Sequence, residues 1–143
     1  MAVERVYKLA KIVSDDGETR FMSAAHDELI SHNWSVQYHL EEMTLPRGGT
    51  GLFAFRNFNE CFGRMITWRQ PSILFECEAY VFAELLPGRY VHPSVAPAGW
   101  ADGKLVLPKT WTDCATMIVE HTSTVLCRYI KPIKIVKQDI HRG

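Results

Sequence analysis

The sequence predicts an α+β domain: a mainly antiparallel sheet with one clear helix, and a second, shorter helical segment, packed on one face. Three observations carry that prediction. Strand-favouring residues come in short runs separated by turn chemistry; the longest run, Ile73 to Leu86, alternates at period two; and only Asn57 to Ile66 shows strong helical spacing. A chain of 143 residues suits a single domain over 1–143, and 47% hydrophobic with 22% charged residues is enough for one core of its own.

Val3 to Val13 and Thr19 to Ala24 flank Ser14-Asp15-Asp16-Gly17-Glu18, where Asp-Gly accepts positive φ, so the pair reads as a hairpin. Trp34 to Leu40 alternates large apolar and polar residues and reads as a half-buried strand. Pro46-Arg-Gly-Gly-Thr-Gly51 breaks the chain before a short apolar strand, Leu52 to Phe55. Asn57 then caps a helix with Glu60 in the capping-box position, and Phe58, Cys61, Phe62, Met65 and Ile66 fall on one face.

In the long strand the odd positions Ile73, Phe75, Cys77, Ala79, Val81 and Ala83 form a core row. The even positions mix Glu76, Glu78 and Glu84 with Tyr80 and Phe82, the pattern of a wet face carrying two rings. Arg89 to Thr112, rich in Pro and Gly, reads as a long loop with one or two short strands. Thr112-Asp113 starts a short helix through Met117 and Val119. Val125 to Ile130 and Ile133 to Val136 read as two strands interrupted by Pro132, which places an edge or a bulge there.

Charge and composition exclude several classes. Sixteen cations balance sixteen anions, so no global field favours polymer nucleic acid or an anionic membrane, although the segment after Arg128 is basic. No apolar run is long enough to span a bilayer, and Met1-Ala-Val-Glu-Arg lacks the basic and apolar regions of a leader. The expected compartment is the cytosol, that of the host cell if the protein is phage-encoded. Cys61, Cys77, Cys114 and Cys127 contain no Cys-x-x-Cys pair, and the histidines show no His-x-x-x-His spacing, so no metal or cofactor is expected and the thiols read as buried hydrophobes.

The glycines of Arg47-Gly-Gly-Thr-Gly51 open a strand and lack the Gly-Lys-Ser/Thr of a phosphate loop. Glu76-Cys-Glu78 and Thr122-Ser-Thr124 are similar to pieces of ADP-ribosyltransferases, but their order along the chain is reversed. No Gly-x-Ser-x-Gly elbow is present, and Cys114 and His121 share no local signature. What remains is a set of rings and cations: Tyr80, Phe82, Arg89, His92, Trp100, Lys109, Trp111, Arg128 and Lys131. Bases stack on rings and phosphates take hydrogen bonds from Arg, Lys and His, which is the combination a nucleotide site requires. The same residues also suit burial on both faces of a strand or an oligomer interface.

The order of elements carries a resemblance. A hairpin ending in Ser23-Ala24 is followed by Trp34-Ser-Val-Gln-Tyr38, Leu52-Phe-Ala-Phe55 with a helix behind it, Ile73-Leu-Phe-Glu-Cys-Glu-Ala79 and a closing Arg128-Tyr-Ile-Lys-Pro-Ile-Lys-Ile135. In this the chain resembles the first family of Thoeris anti-defence proteins. These are small phage-encoded α+β oligomers that sequester a cyclic ADP-ribose signal without degrading it. The resemblance implies a ligand pocket between subunits formed by Phe82 with Arg56, His92, Lys109 and Arg128. Lys109 departs from the guanidinium expected at its position, which weakens bidentate phosphate recognition there.

The expectation is therefore a non-enzymatic binding protein, a sponge for a small nucleotide-derived immune signal, acting as a homo-oligomer. A protein–protein inhibitor or structural phage protein with no small ligand is the alternative, and an ADP-ribosyltransferase-like enzyme the third.

Overall fold

In the computed structural model, which describes residues 2–23, 36–46, 51–68, 70–84, 88–91, 100–101, 104–105, 116–119 and 123–139, the chain opens with the expected hairpin. Strand β1 (Ala2–Asp15) meets β2 (Glu18–Ser23) with Asp15 opposite Glu18. The two residues between them, Asp16 (φ 49°) and Gly17 (φ 81°), both take the left-handed conformation. That turn follows the right-handed twist of the strands, and Asp-Gly supplies it at low steric cost.

β3 (Gln37–Tyr38) pairs with β2 and is shorter than the Trp34 to Leu40 alternation predicts; Trp34 and Ser35 lie outside the described residues. Beyond Tyr38 the chain turns: the Glu42 N–H donates to the His39 carbonyl and Glu41 has φ 62°, so pairing stops before Leu40. Thr44 then exchanges both backbone hydrogen bonds with Ile130.

β4 (Leu52–Phe55) leads into α1 (Phe58–Thr67), where the Asn57 side chain accepts the Glu60 N–H at 3.2 Å as an N-cap should. Cys61 and Met65 are buried against Leu9 and Leu74, with Tyr7, Phe55 and Val136 alongside. Ile66, placed by spacing on the same face, is instead 59% exposed. On a ten-residue helix the apolar stripe is centred on the Phe58, Cys61, Phe62, Met65 positions, and Ile66 falls off its edge. Truncating Met65 would remove about 2 to 5 kcal/mol of burial and packing.

β5 (Ser72–Glu84) is the long predicted strand, and β10 (Thr124–Asp139) is its principal partner. Pro132 does not end the strand, and the irregularity expected there takes the form of a bulge. β10 is one strand, with the register shifting between Pro132 and Lys134, and the Pro132 carbonyl accepts the Glu41 N–H at 2.6 Å. A bulge absorbs the proline without ending the strand.

The main sheet runs β3-β2-β1-β4-β10-β5, every pairing antiparallel, and β5 pairs back onto β1 from Ala2 opposite Val81 to Lys11 opposite Ser72. The sheet therefore closes on itself, with α1 packed on its outer face. This is the α+β, mainly antiparallel architecture the sequence predicts, with β1, β4, β10 and β5 joined in a ring from which β2 and β3 extend. Inside lie Val6, Ala10, Tyr38, Leu52, Ala54, Val125, Cys127 and Ile130, together with the odd residues of β5 from Ile73 to Val81.

Between β5 and β10, β6 (Gly88–Val91) pairs with β9 (Thr116–Val119), and β7 (Trp100–Ala101) with β8 (Lys104–Leu105). The short helix expected through Met117 and Val119 is thus a strand over Thr116–Val119, as its β-branched residues favour. The long loop expected from Arg89 to Thr112 carries paired strands, β6 beginning one residue ahead of it.

Candidate functional site

The pairing of β5 with β10 is irregular where it matters. Leu126 lies opposite Ala83, Cys127 opposite Val81 and Tyr129 opposite Tyr80, so Phe82 is the extra residue on β5 and Arg128 the extra residue on β10. Two successive bulges on facing strands place both side chains outside the closed sheet. The Arg128 guanidinium carbon sits 4.7 Å from the centroid of the Phe82 ring, a cation–π contact.

Phe82 is not on a wet face, as alternation predicts. It is 9% exposed and clusters with Ala83 and Leu126, flanked by Phe53 and Tyr80. Ala83, expected in the core row, joins this outer cluster because the bulge at Phe82 reverses the side-chain parity after it. Gly51 presses on the same ring: a Cβ there would lie 3.0 Å from two Phe82 ring carbons and 3.1 Å from Leu126. Tyr129 extends the aromatic surface, its ring 6.3 Å from that of Tyr80.

Arg128 is exposed, and among the described residues no carboxylate pairs with it. Beside the Phe82 ring, its guanidinium carries the planar N–H fork that recognises phosphate or carboxylate bidentately.

Arg56 stands in contrast. It follows β4 and lies where Glu4 and Glu84 come together; Nε and Nη2 donate to the two Glu4 oxygens at 2.5 and 3.1 Å, and Nη1 donates to Glu84. The parity reversal after Phe82 sets Glu84 opposite Val125, a core position, which turns it toward this pair. Hydrogen bonds from the guanidinium to the two carboxylates raise its pKa. One cation between two carboxylates ties the end of the sheet together and is poorly suited to a second anion. His92 and Lys109 lie outside the described residues. Of the five residues expected at the site, Phe82 and Arg128 are brought into contact and Arg56 is committed to Glu4 and Glu84.

The Thr122-Ser-Thr124 segment has a carboxylate partner, but it is Glu60: the Ser123 hydroxyl and N–H both donate to one Glu60 oxygen, the latter at 3.2 Å. Glu78 instead sits in register with Arg5 and Lys131 on neighbouring strands. The Ser123–Glu60 contact ties the start of β10 to the first turn of α1.

Lys8 has no counterpart in the sequence reading. It is 7% exposed, its ammonium donates to the Phe53 carbonyl at 2.7 Å, and it stands 5.5 Å from the Tyr38 ring centroid. Burial lowers its pKa to about 8, while burial pushes the Cys61, Cys77 and Cys127 thiols up to about 12. The parity of Val6 and Ala10 signals this inward position, but Tyr7 and Leu9 are apolar too, so the run around Lys8 does not show which face is inside.

A cleft of about 240 Å³ opens along residues 36–45, lined in part by His39, Glu42 and Met43, and none of the five expected site residues lines it. Among the described residues, no group of three or more His, Cys, Asp or Glu side chains is placed to hold a metal ion, and no helix is long and apolar enough to cross a membrane. The chain matches no protein-family model, no curated protein and no solved structure.

Proposed function

We propose that this chain is a non-catalytic binding protein that sequesters a small nucleotide-derived immune signal, such as a cyclic ADP-ribose variant, at the Phe82–Arg128 bulge. The observation that supports it is the exposed Arg128 guanidinium, 4.7 Å from the centroid of a buried ring and left without a carboxylate among the described residues. An arginine so placed meets a phosphate with little loss of side-chain freedom. Tyr80 and Tyr129 on the same outer face add aromatic surface for a base. A second copy of the chain completes the pocket in this reading. The test is to load the protein with a cyclic ADP-ribose variant, denature the complex by heat and assay the ligand: recovery unchanged supports trapping, and a cleaved product points to an enzyme.

A second reading has its own observation. Leu40, Met43 and Leu45 are 42%, 57% and 61% exposed within one short segment, an apolar surface of the kind that meets a macromolecule. Capture of one host protein in stoichiometric amount, lost on changing Met43 and Leu45 to Ser and indifferent to Arg128→Ala, is the outcome that favours a protein–protein inhibitor.

A further inference from the structure

Lys8 sits in the middle of β1, inside the closed sheet, in a setting that a lysine seldom occupies. Its ammonium faces the Phe53 carbonyl from β4 and the Tyr38 ring from β3. The thiols of Cys77 on β5, Cys127 on β10 and Cys61 on α1 also act on it, and no carboxylate is among the groups that shift it. Farther along the inward parity of β1 lies Glu4, already engaged by Arg56, which also holds Glu84. Among the described residues, the hydrogen bond of this buried charge thus runs to the main chain of β4.

That bond reaches the outer face directly. Phe53 presents its carbonyl inward to Lys8, while its side chain packs in the outer cluster with Phe82, Ala83 and Leu126. Phe53 also lies opposite Leu126 in the sheet, and Gly51, at the start of the same strand, bears on the Phe82 ring. β4 therefore touches Lys8 from one side and the seat of Arg128 from the other.

We propose that Lys8 is a proton-controlled clamp on β4, coupling its own charge state to the packing of the Phe82–Arg128 face. A charge-assisted hydrogen bond is about twice as strong as a neutral one, so β4 is held most firmly while Lys8 is an ammonium and relaxes when it becomes an amine. Burial makes that transition accessible, drawing the Lys8 pKa down to about 8. The other groups around it hold still: the thiols are raised to about 12 and Tyr38 is lifted well above its ordinary value, so these stay neutral as Lys8 changes. The clamp is a property of the protein itself and stands apart from the identity of any ligand.

The experiment is an NMR titration of the full chain from pH 6.5 to 10, following the Lys8 side chain together with the Phe53 and Phe82 rings and the Leu126 methyls. The expected result is one midpoint near pH 8 shared by all four, with the ring and methyl transitions gone in Lys8→Met, whose fold is checked by its melt. A Lys8 midpoint near the ordinary 10.5, rings and methyls that do not move, or transitions that persist in Lys8→Met would overturn the proposal. Should Lys8→Met not fold, the shared midpoint in the unaltered protein still decides.

Discussion

The Arg128 guanidinium lies 4.7 Å above the Phe82 ring because each residue is the extra one in a bulge, and the two bulges fall on facing strands. A regular ladder in either strand would break this contact: without the bulge, Ala83 keeps the core parity of Val81, and Leu126 no longer meets it on the outer face. The site and the sheet irregularity are one feature.

The two partners are expected to differ in what they do for stability. Phe82 is buried among Ala83, Leu126, Phe53 and Tyr80, so Phe82→Ala should destabilise the fold by about 3 kcal/mol. Arg128 is exposed and contributes a cation–π contact worth about 0.5 to 1 kcal/mol, so Arg128→Ala should cost no more than that. Urea unfolding of both variants checks the split, and equal losses would contradict it.

Gly51 is predicted to be required for close approach. A methyl group there meets the Phe82 ring at 3.0 Å and Leu126 at 3.1 Å, both parts of a packed cluster. Gly51→Ala should therefore lower stability by about 1 to 3 kcal/mol through overpacking and should shift the Phe82 ring resonances. An unchanged melt with unchanged resonances would contradict the close approach of Gly51 to the ring.

Tyr38 is fully buried, and among the described residues its hydroxyl has no hydrogen-bond partner. Removing an unsatisfied buried hydroxyl relieves its desolvation cost, so Tyr38→Phe should raise stability by about 1 kcal/mol. A lower melting temperature for Tyr38→Phe would mean that the hydroxyl is satisfied in solution.

Two opposed shifts set the response to alkali. Lys8 falls from 10.5 to about 8 in the fold, so below pH 8 both states carry its charge and the fold bears the full cost of burying it. Between about pH 8 and 10.5 the unfolded chain holds more protons at this site, and stability rises by up to roughly 3 kcal/mol. The three buried thiols act the other way: raised from 9.0 to about 12, they stabilise the fold fully below pH 9 and lose that contribution as pH climbs to 12. Three groups outweigh one, so the melting temperature should climb from pH 8 to about 9 and then fall. In Lys8→Met the climb should vanish and the fall remain.

Much of the sheet was legible because its signals are local. Asp16-Gly17 dictates a two-residue turn, the β5 alternation marks an inner row as far as Val81, and Asn57 caps the helix as its side chain requires. The misreadings at Phe82, Ala83 and the length of β10 share one cause, since parity and breaker rules assume a regular ladder. The bulge at Phe82 moved Ala83 out of the core row, and a second irregularity carried β10 through Pro132. Closure of the sheet, and with it the burial of Lys8, depends on β1 pairing with β5 across about seventy positions of chain, a distance that periodicity does not report. Of the site, the sequence named Phe82 and Arg128 but not their contact, and named Arg56 without the two glutamates that hold it.

The most direct measurement is isothermal calorimetry with cyclic ADP-ribose variants on the unaltered protein, Arg128→Ala and Arg128→Lys. The binding account predicts a saturable heat with the unaltered chain and an affinity at least about tenfold weaker in Arg128→Ala, as loss of a charged hydrogen bond of about 1.5 to 3 kcal/mol requires. Arg128→Lys should rescue only part of it, because an ammonium keeps the charge but not the planar fork. No heat with any of these ligands, or equal affinity in all three proteins, would contradict the account.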